Sequence, residues 1–432
     1  MQHSGYLSGN AIVALVRVLQ LAIAAAFFAC NRDNPISTEG SHQQLDAGGS
    51  RAHSRLPESW SYPQPATPEP PERRHAVSVL TYRADGGQLK STVEGAADSS
   101  GGHRGNDTQS EIQEALEKMF PQGEADCVLS GTRISFASRL EAQKLLRTKD
   151  EFVSALGLFD RSALLKTNAN VDTAEYLAFV GDQAEEWSSS EKLVLGEQVC
   201  DLVERIAKMH WTLSLPSSVM LIKTSGREGW HLPYTRSNAI ILPVDLLSSG
   251  EPVARLLAHE LFHLFSRELA RAAPSRRDAL YAIVGYSPLG APFELASALR
   301  DRKVTNPDSW EIAHSVLVSS AGRKIRAVPF LLASPPRYDP ERGDKLLRYL
   351  QFKLLAVKKS GKGWTAQIDE DGKPLLIDPG LTNYLELVGV NTSELFQADE
   401  VLAENFMLAL GYGELDHLPN PELPRKLDAA LR

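Results

Sequence analysis

Residues 259–263 of this chain read His-Glu-Leu-Phe-His. On an α-helix, residues four apart point about 40° from each other, one turn apart. His259 and His263 can therefore hold one metal ion between them. Glu260 follows the first histidine and can point into the same cleft, where it can take a proton from a water activated by the metal. Catalytic zinc of this kind usually takes three protein donors, so one more has to come from elsewhere in the chain.

The flanks of the motif spell a helix. Residues 251–273 read EPVARLLAHELFHLFSRELARAA. Pro252 suits a first helical turn, and Ser249 stands where a capping residue is wanted. Val253, Leu256, Leu257, Leu261, Phe262, Leu264 and Phe265 surround the polar trio with apolar side chains. Such a helix is expected to be buried nearly all round. Two histidines and a glutamate buried without partners are costly, and a metal ion supplies the partners. The plainer alternative is a pair of core histidines bonded to carbonyls; the buried-helix context favours the metal.

The third donor is not found just downstream. The metzincin extension needs a glycine where Ser266 stands and a histidine where Leu269 stands. A better source is residues 398–411, ADEVLAENFMLALG, an apolar helix ending at Gly411. It carries Glu400 and Glu404 one turn apart. Two buried carboxylates without a cation would suffer repulsion and desolvation, which a zinc ion and its histidines relieve. In one division of labour Glu400 binds the metal and Glu404 accepts the second ring N–H of a ligand histidine, fixing its aim. Glu404 or Glu294 as the direct ligand are the alternatives.

This arrangement, H-E-x-x-H followed by a later helix with E-x-x-x-E, resembles the gluzincin metallopeptidases typified by thermolysin. AHELFHLFSR, the VTNPD of residues 304–308 and DEVLAENF together resemble a group of bacterial exported proteins. The resemblance covers roughly residues 213 to 410. It implies a zincin-like fold with His259, His263 and Glu400 as ligands to one Zn2+, Glu260 as general base, and Glu404 as the supporting carboxylate. Some relatives place a tyrosine shortly before the ligand glutamate, to stabilise the oxyanion. Here that stretch is Ser393-Glu394-Leu395-Phe396, without tyrosine. Tyr384, Tyr338 and His314 are candidates to replace it.

The remaining chain frames this motif. At 432 residues it has room for two or three domains, and its formal net charge of −8 is only mildly acidic. No basic face or aromatic-basic motif points to nucleic acid as a partner. Residues 18–29, VLQLAIAAAFFA, form an apolar run between Arg17 and Cys30, the size of a signal-peptide core. Ala29-Cys30 resembles a bacterial lipoprotein cleavage site, with an uncleaved anchor as the alternative. The expectation is a signal peptide over residues 1–30 and a cell-envelope protein tethered to the membrane through lipid. Residues 31–108, rich in Ser, Gly, Pro and Gln, read as a disordered linker that cannot offset its chain entropy by burial. Cys127 and Cys200 either pair in a disulfide or stay as separate buried thiols.

Residues 109–212 read as a helical subdomain, with helical spacing over 111–120, 140–146, 151–165, 174–187 and 190–210. Residues 219–223 and 238–242 read as short strands leading into the motif helix. The second is either an ordinary sheet strand or an edge able to pair with an extended peptide. Residues 345–357 read as a strand or helix, and 364–368 with 374–377 as a hairpin around Asp371-Gly372. The expected architecture is α+β: a predominantly helical, zincin-like catalytic domain over residues 213–432 with a small sheet. The expected activity is hydrolysis of a peptide or protein substrate, with Glu260 activating the water. The rival is an inactive, zinc-stabilised envelope binding or scaffolding protein.

Overall fold

A computed structural model describes residues 127–248, 253–343 and 345–432. The expected signal peptide, Cys30, the linker and the helix at 111–120 lie outside these residues, as do Ser249 and Pro252.

Two sheets frame the molecule. The first contains β1 (Val128–Leu129), β2 (Thr132–Phe136), β3 (Ala184–Glu185), β4 (Ser218–Thr224), β5 (Tyr234–Arg236) and β6 (Ala239–Pro243), in the order β1-β2-β4-β6-β5. β2, β4 and β6 are parallel neighbours. β3 pairs with the end of β4 that β2 leaves uncovered. β1, β2 and β3 come from residues expected to form a separate helical subdomain, so a division at residue 212 runs through this sheet. The described residues belong to one compact unit.

The second sheet contains β7 (Tyr286–Pro288), β8 (Phe293–Glu294), β9 (His314–Ser320), β10 (Arg323–Ala333), β11 (Leu350–Ser360), β12 (Gly363–Ala366) and β13 (Leu376–Ile377). Its order is β7-β9-β10-β11-β12-β8, with β13 on β11. Ala321 and Gly322, both at positive φ, join β9 to β10 in a tight two-residue turn of the kind that matches strand twist. Pro329 is tolerated in β10 because β9 pairs only as far as Ala327, leaving Pro329 on a locally open edge. The described residues are thus mixed α/β with two substantial sheets in place of the one small sheet expected.

Several helices follow their local signals. Ser188 and Glu191 form a capping box that starts the helix Ser189–Met209. The stretch expected as one helix over 151–165 breaks into Glu151–Ala155 and Leu158–Leu164. Gly157 sits at the break, where the Arg300 carbonyl would be only 2.3 Å from an added Cβ. The expected helix at 174–187 stops at Asp182 because residues 184–185 are drawn into β3.

The motif helix spans Ala254–Ala272. Its first N–H groups are satisfied from a distance: Gln198 Oε1 accepts Val253 N–H at 2.6 Å and Ala254 N–H at 3.1 Å. Ala258, Phe262, Phe265 and Leu269 are fully buried. They join a core shared by both sheets, the helix Ser189–Met209 and the carboxylate helix Ala398–Ala409. Phe406 of the carboxylate helix meets Phe262 and Trp211, with ring centroids 5.5 and 4.8 Å apart. Cys127 and Cys200 form a disulfide across 73 residues, tying the start of the first sheet to the helix that caps the motif helix. Closing a loop of that length contributes about 4 kcal/mol on the chain-entropy model.

Candidate metal centre

The motif helix and the carboxylate helix lie against each other and bring together His259, His263 and Glu400. Donor atoms of the three lie within 4.8 Å of one another. Glu400 Oε2 is 3.2 Å from His259 Nε2 and 3.5 Å from His263 Nε2. Bonds of about 2.0–2.1 Å to a tetrahedral ion put its donors roughly 3.3 Å apart, which the two separations from Glu400 match. Two neutral imidazoles and a carboxylate are also the donor types zinc prefers.

The outer nitrogens of the rings have partners of their own. His263 Nδ1–H donates to Asp399 Oδ2 at 2.7 Å. Asp399 in turn accepts the Tyr281 hydroxyl at 2.7 Å, and Ser266 Oγ lies 3.1 Å from the same phenol. On His259, Nδ1 faces Glu404 Oε2 at 3.8 Å, while Glu404 Oε1 accepts from Arg255 at 2.6 Å. Glu400 and Glu404 therefore approach opposite sides of the same ring. Asn306, in the VTNPD segment, donates to Glu400 Oε1 at 2.5 Å and to Gln397 at 2.9 Å. That bond leaves Glu400 Oε2 turned to the histidines.

Charge within the centre is strongly coupled. Burial opposes ionisation of Glu400, but the two histidines outweigh it and hold its carboxyl well below the usual range. Burial likewise opposes charging the histidines. Glu400 and Glu404 nevertheless raise His259, and Glu400, Asp308 and Asp399 raise His263, both well above the ordinary imidazole value. The carboxylates thus call for positive charge at this point, from protons or from a metal that replaces them.

Glu260 is 3% exposed, and its Oε2 has no hydrogen-bond partner among the described residues. Burial, reinforced by the nearby Asp308 carboxylate, pushes its pKa up to about 8. Glu260, His263 and Asp308 form a second close group around the same centre. Asp308 is fixed by the Thr235 N–H at 2.7 Å and the Thr235 hydroxyl at 2.5 Å. Arg267 donates to Thr235 Oγ1 and to the Ser237 carbonyl, and lies over the Trp310 ring.

Other candidates fall elsewhere. Glu294 is exposed on β8, the terminal strand of the second sheet. The Tyr384 hydroxyl is bonded to Tyr286 and to the Leu395 carbonyl, and Tyr338 stacks on Tyr349. His314 is bonded to Asp278 and backs Tyr281. The strand at 238–242 becomes β6, an interior strand paired with β4 along its length and with β5 over Ala239–Ile241. The edge is β5, whose Thr235 N–H is already taken by Asp308.

Asp399, Asp308, Asn306 and Glu394 were not singled out by spacing. Signals existed for three of them: Asn306 and Asp308 stand in the VTNPD segment, and Asp399 is an acidic residue beside Glu400 in an otherwise apolar helix. Compared with family models, curated proteins and solved structures, the chain matches none; its own side chains are the basis for assigning chemistry.

Proposed function

We propose that this chain is a zinc-dependent peptidase with a zincin-like catalytic centre of the gluzincin type. The observation that carries this reading is the convergence of His259 Nε2, His263 Nε2 and Glu400 Oε2 at 3.2 and 3.5 Å, beside the buried Glu260. His259, His263 and Glu400 would hold one Zn2+. When bound, the metal polarises a carbonyl and brings the pKa of a coordinated water toward neutrality.

The protein's own groups do the rest. Asp399 fixes His263 through its Nδ1–H, and Glu404 supports His259 from the outer side. Asn306 holds Glu400 so that one oxygen faces the rings. Glu260 takes a proton from the attacking water and passes it to the amine leaving group of a peptide or protein substrate. Asp308 and the Thr235 and Arg267 contacts set the charge that Glu260 feels. The Cys127–Cys200 disulfide supports an oxidising compartment, as an exported envelope protein, lipidated at Cys30, would meet.

A second reading is an inactive, zinc-stabilised binding or scaffolding protein. It is favoured by one observation: Tyr384, Tyr338 and His314 are each engaged away from the three ligands. The test is metal content together with casein cleavage by the purified protein. About one zinc per chain and cleavage that stops with a chelator are expected. One zinc without cleavage would favour the second reading, and no metal in folded protein would sink both.

A further inference from the structure

The second sheet is open along one edge of β10. β9 leaves β10 at Ala327, and residues 302–304 take up that edge only at Leu331 and Ala333. Pro329, with no N–H to offer, stands between them. The opening holds a cavity of about 50 Å³, against the roughly 10–15 Å³ that one water needs. That is room for the head of one side chain. Its wall joins two cores: Tyr281 and Ala398 belong to the core around the motif helix, Val328 and Phe330 to a separate one.

The wall also carries a buried charge. In the run Arg300-Asp301-Arg302-Lys303 only Lys303 is buried, at 9% exposure. Its Nζ donates to the carbonyl of Trp310, which lines the same cavity, at 2.9 Å. Two of its three N–H donors remain for a ligand. Asp160 attracts this ammonium only from a distance, because its own oxygens accept from Gly157 and Thr305. The other ionisable groups of the wall face elsewhere: Glu311 toward Arg277 at 3.9 Å, and His314 toward Asp278 at 2.7 Å. A buried ammonium with one neutral partner is costly, and an anion in the cavity relieves that cost.

The cavity shares two residues with the network behind the candidate metal ligands. Tyr281 donates to Asp399, the partner of His263. Gln397 accepts from Asn306, which also donates to Glu400.

We propose that this cavity is a substrate-specificity pocket in which Lys303 binds a carboxylate of the peptide to be cleaved. The inference rests on the zinc-peptidase reading above. An acidic side chain and the substrate's own C-terminal carboxylate both supply the required group.

The experiment uses the full chain as purified, and Lys303→Met, which keeps the apolar stem and removes the charge. Lys303→Gln serves if Met does not fold. Binding is read by thermal shift and titration with three compounds: N-acetylglutamate α-amide, N-acetylglutamine, and the neutral N-acetylglutamine amide. The wild type is expected to be stabilised by an anionic compound and not by the neutral one. Loss of Lys303 is expected to weaken that binding about 10–100-fold, as for a hydrogen bond to a charged group. Stabilisation by the α-amide identifies an acidic side chain as the source, and stabilisation by N-acetylglutamine identifies the C terminus. No anion-dependent shift in folded wild type, or an equal shift without Lys303, overturns the pocket. Zinc-dependent cleavage of peptides carrying the preferred carboxylate is then measured in both proteins. Lys303-dependent binding without any cleavage leaves the anion site standing and overturns the peptidase reading, and with it the role in specificity.

Discussion

His263 donates its Nδ1–H to Asp399 at 2.7 Å, and with that bond made its Nε2 faces Glu400 at 3.5 Å. Asp399 and Glu400 are consecutive in the first turn of one helix. Two neighbouring carboxylates thus address the two nitrogens of a single ring, Asp399 bonded to Nδ1 and Glu400 facing Nε2.

Asp399→Ala should lower zinc affinity about 10–100-fold, the usual cost of losing a group that orients a metal-binding histidine. Tyr281→Phe, which removes only one bond to Asp399, should cost less. Competition with a chelator in folded protein measures both. Unchanged affinity in Asp399→Ala would show that the ring is held by packing alone.

Glu400→Ala should weaken zinc binding more than Glu404→Ala. Glu400 Oε2 reaches both inner nitrogens, whereas Glu404 sits 3.8 Å from an outer one and is shared with Arg255. The same competition assay decides. If Glu404→Ala releases zinc while Glu400→Ala retains it, the two roles must be exchanged.

The parts of this centre written in local spacing were legible in the sequence. His259, Glu260 and His263 lie within one helical turn, and Glu400 stands out on an apolar helix. Asp399 was passed over because adjacent helical residues point about 100° apart, so only contact with His263 shows that both carboxylates are used. Asp308, Asn306 and Glu394 lie in loops whose approach depends on the whole fold. The second sheet was under-read because β10 and β11 alternate poorly between apolar and polar residues. Gly157 stands where a helix breaks, and the reason a side chain does not fit there lies 143 residues away, at the Arg300 carbonyl. The cap on the motif helix came from Gln198, which no N-terminal capping pattern could reveal.

Metal-free protein should lose stability as pH rises from about 5 to 8. Glu260, with a folded pKa of about 8 against 4.5 for the ordinary group, keeps its proton in the folded state after the unfolded chain has released it. Its contribution is fully present below the unfolded value and is lost as pH climbs through the folded one. The raised histidines act in the same direction at higher pH. Thermal melts in chelator should show a smaller decline for Glu260→Gln than for wild type. An equal decline in the two would remove Glu260 as a source of the slope.

Cys30→Ser should move the protein from the membrane fraction to the soluble exported fraction, because the lipid-bearing side chain is lost. Fractionation of expressing cells reads the outcome. A variant that stays with the membrane would point to an uncleaved anchor in residues 11–29.

Under the proposed function, Glu260 works on a water at a zinc held by His259, His263 and Glu400. The most direct measurement is casein hydrolysis by wild type and Glu260→Gln at equal, verified zinc content. Gln keeps the shape of the side chain and removes its basicity, so the variant should retain zinc and lose about 10²–10⁴-fold in rate. Equal hydrolysis by the two proteins would contradict the account.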